Sequence, residues 1–485
     1  MSHLILQLGI PKIYCNLVYK NIKYYYRKSS VKKKRRDFMK NGSNSKKSYV
    51  LINFVFPLII AIIFVIIFFL YTGYSIVETV IIFNEETTAT TKIRFLSSWG
   101  GSDPYADTLS FVLQKFQEEN PGVTIINESL FGDDFLIKLQ TDFASGNPPD
   151  VFGLFPGSVR DILIQRNQIA NLTETLKKDI KWYNSFYKNM WKYVTFNGKI
   201  YGVPLETIVE CLFVNKDLFE KYNLQVPQTF DELVKICKIL KSKGIIPIAF
   251  NAQPEGTYIY QNIIVSIGTK YDIENPLKRG RFTSPYIKAL DYLKELYNAG
   301  AFPDNYYSLT SKQRNDLFLT KKAAMIVQGS WFIPKCDPRT VDIYFFPQIN
   351  STMKKHLIYG LGGGTFYISN QAWQDNSKRT LAIKLLKYLT SEKIARIFVE
   401  RTGLISNVKI KDPPNVKNPL RSKVEGLIKE ADELIAPPDH FVDRMVWEEV
   451  ITKNIPYYLQ GTISSKLFWE KALKVWEENK KKLGE

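Results

Sequence analysis

Histidine is nearly absent: His3, His356 and His440 are the three in 485 residues. A His-based catalytic triad or a zinc centre has almost nothing to be built from. Cysteine is as sparse. Cys15, Cys211, Cys237 and Cys336 are scattered and form no CxxC pair, so neither a disulfide framework nor a metal site is expected. The one glycine cluster, Gly362-Gly363-Gly364, lacks GxGxxG spacing and an acidic residue in the right place, which excludes a dinucleotide fingerprint. No cofactor is expected. The chain after Lys92 holds no internal repeat and no low-complexity tract.

Acidic residues are missing from the start of the chain. Before Tyr49 stand 13 Lys/Arg and a single acid, Asp37, which together carry +12 of the formal net charge of +19. The densest basic run, Lys32 to Arg36, lies in this tail rather than on a folded domain, which argues against nucleic acid as a partner. Charge is then wholly absent from Tyr49 to Tyr71, 23 residues reading YVLINFVFPLIIAIIFVIIFFLY. As a helix rising about 1.5 Å per residue, such a segment crosses a hydrocarbon core of roughly 30 Å. Pro57 is tolerable in a membrane helix. Basic residues before the span, against Glu78, Glu85 and Glu86 after it, place the N-terminus inside and the bulk outside. A cleaved signal ending near Gly73-Tyr74-Ser75 and an uncleaved anchor both fit; the length of the apolar run favours the anchor. Translation from Met39 would leave a short basic segment before the span, so either methionine serves as a start. A lipid anchor needs a cysteine just after the apolar run, and none lies between Cys15 and Cys211. Glu85 to Thr91 reads as a polar linker.

Aromatics are plentiful at 14%, with 28 Tyr, 31 Phe and 8 Trp. The length suggests about three domains. From Lys92 onward, elements alternate. Lys92–Trp99 reads as a strand, Asp107–Glu119 as an amphipathic helix, and Val123–Ile126 as a strand. A helix from Asp133 ends at Ser145-Gly146, where Gly146 takes a left-handed cap and Asn147-Pro148-Pro149 forbids continuation. Asp150 leads into the apolar strand Val151–Leu154, and accepts N–H groups of the turn. Asn197-Gly198 predicts a hairpin, and Thr229 with Glu232 a capping box. Such alternation argues α/β with a mostly parallel sheet.

The stretches FLSSWGG, FQEENPGV, ASGNPPDVF, FNGKIYGVPLE, LFVNKDLFEKYNL, VPQTFDEL, AAMIVQGSW, GGGTFYIS and LLKYLTSEKIARIFVERTG occur in this order between Phe95 and Gly403. Their ordered set resembles extracellular solute-binding proteins, the sugar-type binding components of ABC importers. The resemblance implies an α/β, two-lobed, periplasmic-binding-protein-like fold with a hinge, here preceded by one N-terminal transmembrane helix. On that reading, residues 1–48 are a basic cytoplasmic tail, 49–71 the membrane anchor and 72–91 a linker. Residues 92–205 with 359–405 form the first lobe, and 206–358 with 406–485 the second. The chain would crossover just after Pro204 and return near Leu357 to Gly364.

A sugar offers hydroxyls on its edges and an apolar C–H face, so its binder needs aromatic planes and hydrogen-bonding side chains in a concave pocket. Trp331, in a Gly-Ser-Trp turn after a buried strand, is implied by the resemblance as the stacking platform of the second lobe. Trp99 ends the first strand, where ligands of open α/β sheets sit. Asp103 in the same loop could accept from two hydroxyls, or cap the helix start at Pro104. Phe155 leaves its strand at the carboxyl end. Glu206 follows Pro204 at the hinge, and Tyr258 lies in the loop after strand Ile245–Phe250. Gly362, Gly363 and Gly364 could present backbone N–H groups, or only turn the chain at a lobe crossing. Arg444 and Trp447 complete the candidate set, while Asp150 is read as structural. The expected function is capture of a carbohydrate outside the cell and delivery to ABC permease subunits, by a monomer tethered through its single membrane helix. No bond is broken in that role. A sugar-sensing ectodomain is the alternative; a glycoside hydrolase would need Asp103 and Glu206 as a carboxylate pair about 5–10 Å apart.

Overall fold

The structure, a computed structural model, describes residues 91–349, 354–412, 414 and 418–483. The chain divides into two units, Met1–Thr87 and Thr88–Glu485, and every described residue belongs to the second. The basic tail, the apolar span Tyr49–Tyr71, Cys15 and the linker up to Thr90 lie outside the described residues. Among the described residues no helix is long and apolar enough to cross a membrane.

Two sheets frame the second unit. In the first, Thr91–Leu96 (β1) pairs in parallel with Val123–Asn127 (β2) and with Val151–Gly153 (β3). Beside it, Asn197-Gly198, both at positive φ (46° and 73°), turns Thr195–Phe196 (β4) into Lys199–Ile200 (β5) as the hairpin chemistry requires. Gly202–Pro204 (β6) then joins the first sheet, and one residue later Glu206–Asn215 (β7) is already in the second. That sheet collects Ile246–Ile248 (β8), Ala323–Gly329 (β9), Val341–Tyr344 (β10) and His356–Leu361 (β11). The chain returns through Gly362–Gly364 to Thr365–Ile368 (β12), which closes the first sheet in the order β2-β1-β3-β12-β6. Ile405–Ser406 (β13) pairs again with β7, and Glu433–Ile435 (β14) completes the order β14-β11-β7-β9-β8.

The sheets are mixed rather than mostly parallel. β7 runs antiparallel to β9, β10, β11 and β13, and β12 runs antiparallel to β3 and β6. β7 enters its sheet from the crossing, so its direction opposes that of β8, β9 and β14, whose carboxyl ends point towards the crossing.

Each sheet is covered on both faces. Along β1, Ile93 and Phe95 join the core under helices Ala106–Glu118, Asn376–Leu389 and Glu392–Thr402, while Leu96 joins the core under Asp133–Ala144. Along β7, Leu212 and Val214 face one core, and Val209, Cys211 and Phe213 the other. This period of two is what a pleated strand imposes. At roughly 25 cal/mol per Å² of apolar area, these four cores supply most of the stabilisation.

Local stops follow the sequence. Helix Asp133–Ala144 ends before Gly146, which holds φ +74°. Thr229 and Glu232 form the capping box of helix Phe230–Ser242. Asp150 is buried and structural, but it does not bind its own turn. Its Oδ2 accepts the Arg94 N–H of β1 at 2.8 Å, and its Oδ1 pairs with Lys378 of the helix behind at 2.9 Å. The carboxylate therefore locks β3 to β1 and to its covering helix.

Candidate functional site

Between the two sheets lies a cavity of about 260 Å³, just below the roughly 300–1,000 Å³ usual for ligand pockets. Its walls come from the ends of strands that point at the crossing. Ser98, Trp99 and Asp103 follow β1, and Phe155 follows β3. From the other lobe, Glu255 and Tyr258 follow β8, Trp331 follows β9, and Asp439 and Arg444 follow β14. The floor is β7, where Glu206, Ile208 and Glu210 alternate into the cavity. Of the sequence-predicted residues, Gly364 alone does not line it.

The aromatic groups differ in kind. Trp331 is partly exposed and sits on the 3-10 turn Ser330–Lys335, not on the strand itself. Its ring covers Gly329, where any Cβ would collide with it, and meets Tyr258 edge-on at 5.7 Å. Tyr258 opens helix Tyr258–Ile267 rather than lying in a loop, because Pro254–Thr257 already forms a turn that feeds the helix. Trp99 is 3% exposed. It packs against Tyr105 at 4.9 Å and Phe398 at 5.1 Å, so it shows the cavity only an edge of a core residue. Phe155 reaches the other lobe, where it lies parallel to His440 at 6.2 Å with the Arg444 guanidinium 6.0 Å away. Trp447 is buried, and its indole N–H donates to Thr257 at 3.3 Å. It stands on Met445–Thr452, wound as a π-helix, in which the Thr452 hydroxyl donates to the Trp447 carbonyl. Such windings recur at functional sites.

The polar groups are mostly carboxylates. Asp103 accepts the Tyr105 N–H at 2.8 Å, so it holds the turn before helix Ala106–Glu118 while facing the cavity. Burial pushes its pKa up to about 7. Glu206 is 2% exposed and accepts the Gly364 N–H at 3.1 Å and the Tyr105 hydroxyl. Burial, with Asp103 nearby, pushes it up to about 8. Glu210 is equally buried, accepts from Asn262 at 3.3 Å, and is raised by burial and by Asp439. Asp439 is pushed up to about 6 by burial, and its Oδ1 has no hydrogen-bond partner. His440 is held neutral, burial lowering it to about 3.

The three glycines allow close approach. A methyl at Gly362 would overlap the Glu206 carboxylate, at Gly363 the Ser98 hydroxyl, and at Gly364 the Trp99 ring. The Gly364 N–H is already given to Glu206. Glu210, Asp439, His440 and Lys335 were not singled out from sequence. Glu210 could have been, since it stands four residues after Glu206 in an apolar strand, on the same face. Asp439, after Pro437-Pro438, carries no local signal.

A family model described as bacterial extracellular solute-binding protein matches residues 101–396. The chain belongs to that family. It is similar to the multiple sugar-binding protein of Streptococcus mutans, 28% identical over 328 residues that cover 64% of this chain and 74% of the relative. Among solved structures, it is similar to a chitin oligosaccharide binding protein at TM-score 0.71, with 19% identity over 80% of this chain and 98% of that one. A protein from work on xylan utilization by Caldanaerobius polysaccharolyticus follows at TM-score 0.69, with 22% identity over 79% and 99% of the two chains. At such identities the structures establish the two-lobed fold of this solute-binding protein.

Proposed function

We propose that this solute-binding protein captures a mono- or oligosaccharide in the cavity between its lobes and delivers it to the permease subunits of an ABC transporter. The observation that carries the reading is the composition of the walls: the partly exposed Trp331 and Tyr258 rings line the same cavity as β7, which presents Glu206 and Glu210 on one face. Rings suit the C–H face of a sugar and carboxylates its hydroxyls. Trp331 serves as the stacking platform, and Asp103, Glu206 and Arg444 as hydroxyl partners. Phe155 and Trp447 act as the side walls, Tyr258 as the second aromatic plane, and Trp99 as the rigid backing behind Asp103. Gly362 and Gly363 bring the crossing close to the ligand. Relatives in name bind multiple sugars and chitin oligosaccharide, which supports the same ligand class here.

The lobes close about the crossings at Leu205 and Gly362–Gly364, and ligand binding shifts the open–closed equilibrium. No bond of the ligand is broken, and no metal or cofactor takes part. The apolar span Tyr49–Tyr71 tethers the binding unit to the outside of the cell membrane, with the N-terminus inside. A thermal-shift screen against mono- and oligosaccharides tests the reading, because a ligand stabilises by RT ln(1 + [L]/Kd). A saccharide that raises the melting temperature supports it; a full panel without effect refutes it.

A further inference from the structure

The cavity is acidic on a chain whose formal net charge is +19. Three of its lining carboxylates are paired: Glu255 with Arg314 at 3.5 Å, Asp316 with Lys312 at 2.5 Å, and Glu448 with Arg444. Among the described residues, Asp103, Glu206, Glu210 and Asp439 have no ion-pair partner within salt-bridge distance. They fall into two poles: Asp103 and Glu206 lie close enough for one to oppose ionisation of the other, and so do Glu210 and Asp439. Glu206 and Glu210 are four residues apart on one strand, about 13 Å at roughly 3.3 Å per residue.

The cations nearest these poles do not match the acids: Lys335 is one charge at the pole of Asp103 and Glu206, and Arg314 and Arg444, beside Glu210 and Asp439, are each shared with another carboxylate, Glu255 and Glu448. Lys335, beside Asp103, donates to the Ser102 carbonyl at 2.6 Å. Arg444, beside Asp439, is held by Glu448. Arg314, which faces Glu210, donates to the Val327 carbonyl at 2.5 Å. The neighbouring His440 is neutral and supplies no charge. Burial keeps protons on these carboxyls in the empty cavity, and a wholly hydroxylated sugar brings no positive charge against which they could ionise. The unpartnered Oδ1 of Asp439 is an acceptor waiting for a donor in the same cavity.

We propose that the saccharide held here carries a positive amine, so that the ligand class is an amino sugar or an oligosaccharide containing one. This rests on the carbohydrate reading above. An ammonium placed at either pole meets two carboxyls, offers three donors, and favours their ionised form, so that binding releases a proton and forms an ion pair. The raised protonation ranges of all four groups fit a site whose counter-charge arrives with the ligand.

Matched pairs test this by titration calorimetry at pH 7.0: glucose with glucosamine, galactose with galactosamine, cellobiose with the glucosamine dimer, and cellotriose with the glucosamine trimer. The N-acetylglucosamine trimer is the neutral control for bulk at C2. The expected result is an amine binding at least tenfold tighter than its hydroxyl partner. That ratio should shrink in 0.5 M NaCl, and fall to less than about threefold in Glu206→Gln or in Asp439→Asn, each checked for native circular dichroism. If a hydroxyl or N-acetyl member binds as tightly as its amine partner or more so, the amine assignment is overturned and the carbohydrate reading stands. If no saccharide of either kind binds, both are overturned.

Discussion

Replacing Glu206 by glutamine should stabilise the ligand-free protein, and by more as the pH rises. Glu206 is buried on the floor of the cavity, and its pKa stands at about 8 against an ordinary 4.5. Below about pH 4.5 the carboxyl is protonated in both folded and unfolded chains and contributes no pH dependence. Between the two values the unfolded chain ionises while the folded one keeps its proton, so stability falls as pH rises. One pKa unit is about 1.4 kcal/mol. The loss should therefore reach about 3 kcal/mol at pH 7 and about 5 kcal/mol above pH 8. Glutamine carries no charge to desolvate and keeps an oxygen to accept from Gly364, so it escapes this loss. Thermal melts of both proteins at pH 5, 7 and 8.5 measure the difference. The advantage of the variant should be small at pH 5 and large at pH 8.5. An advantage that does not change with pH, or a variant that weakens as pH rises, would refute the assignment of Glu206 as an uncompensated buried acid.

Three further substitutions separate core from site. Trp99→Ala empties a packed position between Tyr105 and Phe398 and should cost about 3–5 kcal/mol in chemical denaturation. Trp331→Ala should leave most of that stability but weaken saccharide binding more than tenfold by calorimetry; unchanged affinity would remove Trp331 from the site. Gly362→Ala drives a methyl into the Glu206 carboxylate and Ile208, and should cost about 1–3 kcal/mol in the same denaturation assay. Lys335→Ala removes the hydrogen bond to Ser102 that spans the lobes, and should weaken ligand binding about two- to tenfold without lowering the melting temperature measurably.

What could be read from the sequence was what local chemistry decides. Gly146 and the prolines after it ended a helix where expected, Asn197-Gly198 made its hairpin, and the ordered motifs led to the family. That Glu206 and Glu210 share a face was also open to reading, since they stand four residues apart in one strand. Long-range pairing decided the rest. The partner of Asp150 is Arg94, 56 residues away, and no local rule chooses it over the adjacent turn. The reversal of β7 depends on where the chain crosses, not on β propensity. Tyr258 was taken for a loop residue because a run of turn formers, Asn251 to Gly256, precedes it, whereas that run became a 3-10 turn feeding a helix. Asp439 and Arg314 are drawn into the second lobe by packing from distant segments, and their types carry no spacing that signals it.

The hinge and the cavity floor are made from the same few residues, and this limits how the site can vary. Glu206 is the first residue of β7 after the first crossing, and its oxygen accepts the N–H of Gly364 in the second crossing. Tyr105, from the first lobe, donates to the same carboxylate. One side chain therefore joins both crossings and one lobe wall while facing the cavity. A substitution that retunes it for another ligand also alters the contact between the crossings, because the glycines there leave no slack: a methyl at Gly362 meets Glu206, and one at Gly364 meets Trp99. The outer walls are under no such constraint. Trp331 stands on a short turn, Tyr258 at a helix start and Asp439 on a 3-10 turn, each reached from a separate strand end. In the proposed site, ligand class would thus be held by the floor, while length and linkage would be free to be set by the wall residues.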